Sequence, residues 1–175
     1  MPGATDEFYM FKRANAQLTN ASSTLLDAVN ALTNQTLIQA TFRSPFLLLH
    51  TAEDPLEVLV AVEPQGAVEK LRNSRFVVHG IYNDRDWDFV QPILCDSVKV
   101  DIRPWRYSRA SWHFYRHSFA AWNLTGWEAL EAVAFAGKTS FTVRRKSLVD
   151  FRQIEVEFKP DPRVRSVPTL EFFPR

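Results

Sequence analysis

The spacing of apolar residues changes character near residue 34, and that change limits the fold more than any other feature of the chain. From Thr5 to about Thr33 no Gly or Pro intervenes. Phe8, Phe11, Asn15, Leu18, Ser22, Leu25, Val29 and Leu32 succeed one another at alternating spacings of three and four. Such spacing holds one stripe on one side of an α-helix, the seam of a coiled coil or of a helix lying on a surface. Thr5 is placed to cap its start, with Asp6 and Glu7 at the positive end of the helix dipole. At about 1.5 Å per residue the helix would run roughly 40 Å, longer than one domain needs to cover its own core. Residues 1–34 are therefore expected as an N-terminal helix that projects or docks. Asn15 and Ser22 weaken the stripe, so a break near Asn15 to Asn20 into two shorter helices is the other reading.

Beyond residue 34 the apolar residues come in short runs punctuated by proline. Thr36 to Phe42, Phe46 to His50 and Glu57 to Val62 read as strands, with turns at Ser44-Pro45 and Asp54-Pro55. Proline fixes φ and removes a donor, so it ends a strand rather than continuing it. Ala67 to Asn73 reads as a short helix, Phe76 to Tyr82 and Ser97 to Ile102 as strands. Pro92 leaves Asp86 to Leu94 ambiguous. Ser108 to Ala121 and Thr125 to Ala136 read as two helices, with Gly137 at the place of a left-handed C-terminal cap. Lys138 to Arg145 and Leu148 to Lys159 alternate apolar with polar, the pattern of a half-buried hairpin. Pro160, Pro162, Pro168 and Pro174 make the end an extended arm carrying Leu170, Phe172 and Phe173.

The fold class that results is α+β: a long N-terminal helix, a mostly antiparallel sheet with two helices packed on one face, and an extended C-terminal arm. Residues 1–160 are expected as a single domain and 161–175 as a Pro-containing tail. A chain of 175 residues buries enough surface to need no metal or disulfide staple.

Cys95 is the only cysteine, so no intrachain disulfide forms, and an intracellular, reducing compartment is expected. The sequons at Asn20, Asn34 and Asn123 point the other way. The Met1 end shows no basic patch followed by an apolar run, so no secretory signal is expected. Phe46 to Leu49 and Leu56 to Val62 are far short of the roughly 20 residues that cross a bilayer.

Charge is polarised along the chain. Residues 1–101 carry 8 basic and 13 acidic groups, and 102–175 carry 13 and 7. Fifteen of the 21 basic residues are Arg, whose planar fork suits carboxylates, phosphates and aromatic faces. Polarised charge bears on association rather than on fold. Codon bias would produce the same arginine excess.

Of the features that carry chemistry, His113 and His117 stand at helical i, i+4 spacing, a metal-ligand arrangement. Phe114 replaces the glutamate of the metalloprotease motif, and no third ligand is evident. They remain weak metal candidates. Asp84, Asp86 and Asp88 alternate like the start of a calcium loop but lack its glycine. Gly137-Lys138-Thr139 lacks the first glycine and the preceding strand of a phosphate loop. No catalytic residue and no cofactor is implied.

The stretch from Arg103 to Trp127 is the most unusual. Arg103, Arg106, Arg109 and Arg116 interleave with Trp105, Trp112 and other rings, and no acid falls between Asp101 and Glu128. Arg and Trp concentrate where one protein binds another. Arg with exposed rings also suits single-stranded nucleic acid or anionic lipid. A third reading buries Trp112, Tyr115, Phe119 and Trp122 as one helical face, while the arginines pair with the acidic first half.

The function expected is non-catalytic: a structural or accessory subunit of a larger assembly. It would dock onto other protein subunits through Leu18, Leu25 and Val29 of the helical seam, through the Arg and aromatic segment, and through Phe172 and Phe173. A nucleic-acid or anionic-lipid module on residues 103–127, and a metal-dependent enzyme on His113 and His117, are the alternatives.

Overall fold

The computed structural model describes residues 15–18, 20, 22–62, 66–77, 79–85, 87–98, 100–104, 117–145 and 154–163. The fold is α+β, with antiparallel strand pairs and one mixed sheet. The chain divides into two compact units, Met1–Asp54 with Pro162–Arg175 and Pro55–Asp161.

In the first unit, helix α1 (Leu25–Gln35) begins where side chains make it begin. Asp27 N–H donates to Thr24 Oγ1 at 3.2 Å, and Thr24 N–H donates back to Asp27 Oδ2 at 2.8 Å. This capping box satisfies two donors that the first helical turn leaves open. At the far end, Thr36 Oγ1 donates to the Leu32 carbonyl at 2.7 Å and accepts from Ile38 N–H, which turns the chain out of the helix. Residues 15–18, 20 and 22–24 are not helical. Of the helix expected from Thr5, only the part from Leu25 is helix among the described residues, and residues 1–14 lie outside them. The run Ser22-Ser23-Thr24 offers hydroxyls that compete with helical backbone bonds. Gln35 takes over as the tie: its side chain accepts from Gln17 N–H at 2.9 Å and donates to the Gln17 carbonyl at 3.0 Å.

Strands β1 (Gln39–Arg43) and β2 (Phe46–His50) follow as an antiparallel hairpin closed by Arg43 opposite Phe46. The Ser44-Pro45 peptide in its turn is cis. Buried His50 donates from Nδ1 to the Thr51 carbonyl at 2.7 Å. Its Nε2 in the neutral ring therefore accepts the Thr41 hydroxyl at 2.9 Å.

The second unit holds the larger core. Strands β3 (Val60–Val62), β5 (Asp101–Pro104), β7 (Thr139–Arg145) and β8 (Ile154–Pro160) form one sheet in the order β3-β7-β8-β5. The expected antiparallel pairing holds for β7 with β8, and two parallel pairs, β3 with β7 and β5 with β8, are added at the sides. Phe141 stands opposite Phe158 and Val143 opposite Val156, all four buried. The two Phe rings lie 5.5 Å apart, and Trp127 meets Phe141 edge-on at 5.4 Å. Strands β4 (Gly80–Arg85) and β6 (His117–Ala121) make a separate antiparallel pair.

Helices α2 (Gly66–Asn73), α3 (Trp87–Val98) and α4 (Gly126–Ala136) complete the unit. α4 packs against β7, β6, α2 and α3, burying Ala129, Leu130, Ala132, Val133 and Ala134. It opens with a second capping box, in which Thr125 N–H donates to Glu128 Oε2 at 2.7 Å and Glu128 N–H to Thr125 Oγ1 at 3.2 Å. Gly126 at its first position has no room for a side chain: a Cβ there would meet Ser74 Oγ, the Leu71 carbonyl and Val98.

One reading left open is now decided, and four local expectations are corrected. Residues 87–98 are helical despite Pro92, because Val90, Leu94 and Val98 recur every fourth residue and all three are buried. The strand expected from Ser97 starts only at Asp101, after that helix has ended. The strand expected from Phe76 starts at Gly80. Residues 117–121, expected as the end of a helix, are strand β6, while 108–116 lie outside the described residues. Gly137 is also not a left-handed cap: its φ is −91°, so the right-handed path runs through it, and the positive φ of 51° falls on Lys138.

Candidate functional site

The β1–β2 hairpin presents two chemically different faces. Side chains alternate across a strand, and residues directly opposite share a face. One face carries His50 with Gln39, Leu48 with Thr41 and Phe46 with Arg43. It holds the buried Leu48 and His50. The other carries Leu49 with Ala40 and Leu47 with Phe42. Every residue on that second face is apolar, yet Phe42 is 73% exposed and Leu47 and Leu49 are above 40%.

Helix α1 of the same unit also carries exposed apolar residues. No residue of α1 is buried, although Leu25, Leu26, Val29 and Leu32 are all large and apolar. Leu25 and Leu26 stand 74% and 67% exposed, Val29 and Leu32 are half-buried, and Leu37 beyond the helix is 77% exposed. α1 leans on β1, so the helical seam and the hairpin belong to one unit. A Leu or Phe moved from water into an apolar contact gains on the order of 1.5–3 kcal/mol. Among the described residues the two hairpin strands pair only with each other.

The residues singled out from sequence fall as follows. Leu18, Leu25 and Val29 lie on the first unit, Leu18 exposed and outside the helix, Leu25 at its first position. Arg103 lies in β5, in register with Glu157 of β8. Trp105, Arg106, Arg109, Trp112, Arg116, Phe172 and Phe173 lie outside the described residues, as does His113. His117 is in β6 opposite Arg85, so the helical i, i+4 geometry that paired it with His113 does not extend to it. The helical aromatic face fails likewise: Phe119 sits half-buried in β6, and Trp122 beyond it is 57% exposed.

Phe42, Leu47, Leu49, Leu26 and Leu37 were not singled out by sequence reasoning. For the hairpin residues among them the signal was the unbroken apolar run Phe46-Leu-Leu-Leu beside Ala40 and Phe42. Among the described residues no helix is long and apolar enough to cross a membrane. No family model matches the chain, and no curated protein or solved structure is found to be similar to it.

Proposed function

We propose that this chain is a non-catalytic structural or accessory subunit, held in a larger assembly by protein–protein docking of its first unit. The observation that carries the reading is the hairpin face of Ala40, Phe42, Leu47 and Leu49, apolar throughout and turned to solvent. Contiguous apolar surface of this kind marks an interaction site, whereas single exposed leucines do not. The partner is another protein subunit presenting an apolar groove, with α1 and Leu25 entering the same contact. The Arg and aromatic segment from Arg103 to Trp127 and the tail with Phe172 and Phe173 supply further contacts. Cys95 is in no disulfide, which is compatible with a reducing compartment.

The test is the native mass of the tagged full chain in lysate from its own source, with identification of whatever co-elutes at fixed ratio. Elution in a larger particle is expected. Phe42→Thr combined with Leu49→Thr keeps strand propensity and should release the chain, while Leu59→Thr, at an exposed site in the second unit, should not. Elution of the unaltered protein as a lone 20.2 kDa chain overturns the proposal.

A further inference from the structure

The backbone pairing that joins residues 75–85 to 117–125 opens in its middle. Arg75 bridges Thr125 and Phe76 N–H donates to the Leu124 carbonyl at 2.9 Å, and among the described residues pairing resumes at Gly80 with Ala121. The two connecting stretches have unequal lengths, and unequal lengths within a ladder re-aim side chains, a device that recurs beside functional sites. Asn123 absorbs the mismatch at a φ of 54°, a left-handed conformation that Asn tolerates better than most residues. Its N–H, turned from the ladder, donates to His79 Nδ1 at 3.2 Å, and its Oδ1 accepts from Arg75 Nη1 at 3.4 Å.

A notch of about 220 Å³ opens there, lined by Arg75, Phe76, Val77, His79, Asn123 and Leu124. Phe76 and Leu124 are buried and form its apolar floor. The polar groups divide by what they have left to offer. His79 accepts at Nδ1, so its neutral ring carries the proton on Nε2. Asn123 accepts at Oδ1, which leaves its Nδ2 hydrogens to donate. Arg75 has committed one Nη1 hydrogen and keeps Nε and Nη2. The hydrogens left on Arg75, His79 and Asn123 are thus all available to donate, and no carboxylate is among the lining residues. Free donors beside one guanidinium complement an oxyanion, whose oxygens only accept.

We propose that this notch binds an oxyanion, a carboxylate or a phosphate group, with Arg75 supplying charge and His79 and Asn123 orienting its oxygens. At this volume it takes the anionic group itself and leaves the remainder of the ligand outside, beside Val77, which is exposed. The site lies in the second unit and does not depend on the docking surface of the first.

Calorimetric titration of the full chain with inorganic phosphate, and separately with acetate, at constant ionic strength in chloride tests it. Saturable binding of at least one anion is expected. Arg75→Gln should weaken it about tenfold or more, and Arg75→Lys should restore part of the loss. Asn123→Gly keeps the left-handed backbone while removing the amide, and should weaken it less. Arg144→Gln, a cation of strand β7 paired with Glu157, should leave it unchanged. Phosphate alone binding identifies a phosphate-bearing ligand, and acetate binding as well or better identifies a carboxylate. Saturation by neither, or Arg75→Gln and Arg144→Gln acting alike, overturns the proposal. Thermal melts of each variant separate lost binding from lost fold.

Discussion

Thr139 begins the central strand β7 buried at 2% exposure, and its Oγ1 has no hydrogen-bond partner among the described residues. A buried hydroxyl without a partner loses its water and gains nothing in return. Thr139→Val keeps the shape and the β-branch while removing the polar atom. It should raise unfolding stability by about 1 kcal/mol, read as a higher urea midpoint at unchanged slope; a lower midpoint would mean that the hydroxyl is satisfied. Gly126→Ala should act the other way. Its methyl would press on Ser74 Oγ and on the Leu71 carbonyl, and overpacking against backbone costs about 1–3 kcal/mol. If Gly126→Ala is neutral, the first turn of α4 is not held against the end of α2 as described. Residues of the central strands were legible beforehand: alternation placed Phe141, Val143, Ile154, Val156 and Phe158 on one side, and all five are buried. Gly137 was not, because a glycine after a helical run marks the end of the helix only to within a residue. Here the left-handed position passed to Lys138.

At the scale of elements, hydrophobic spacing chose well where a segment spans several periods and poorly where it does not. The eleven residues of α4 declare themselves, whereas the five of β6 fit a helical or an extended pattern equally. α3 shows the opposite conflict. Pro92 argued against a helix, and three buried side chains at i, i+4 and i+8 outweighed it. The start of α1 depended on a signal in plain view, Thr24 followed three residues later by Asp27, but the longer seam running back to Phe8 masked it. Asp27 makes that start pH-sensitive. Donation from Thr24 N–H, and then from the Thr24 hydroxyl, holds its carboxyl below the ordinary 3.8. A depressed carboxylate stabilises the fold above the unfolded value and loses that contribution as pH falls through the folded one. Amide protection at Ala28, whose N–H donates to the Thr24 carbonyl, should therefore hold steady down to about 3.8 and fall below it. Asp27→Asn should lack the decline, and an identical decline in both proteins would assign it to another group.

The two units differ most in what they bury. Ile38 and Leu48 are the buried apolar side chains among the described residues of the first unit, whereas Leu71, Phe76, Leu94, Leu130, Val133, Phe141, Val143, Val156, Phe158 and others fill the second. Pairing a hairpin and forming a short helix each cost backbone entropy of about 1–2 kcal/mol per residue, and these two buried side chains do not by themselves offset that. A two-stranded hairpin is marginal on its own for the same reason. The seam through Leu25 and Val29 pointed from sequence to the helical half of the proposed docking surface. The hairpin half was hidden, since the unbroken apolar run from Phe46 to Leu49 has no alternation to tell a buried face from an exposed one. Native-state hydrogen exchange on the isolated chain should then find the amides of α1, β1 and β2 opening at far lower free energy than those of β7 and β8. In the proposed assembly the same amides should become protected, because burial of Phe42, Leu47 and Leu49 by a partner would add stability that the free chain lacks. The comparison works because β7 and β8 serve as an internal standard in the same sample. Equal protection of the two units in the isolated chain would mean that the first already holds a sufficient core, and the docking proposal would lose its physical basis.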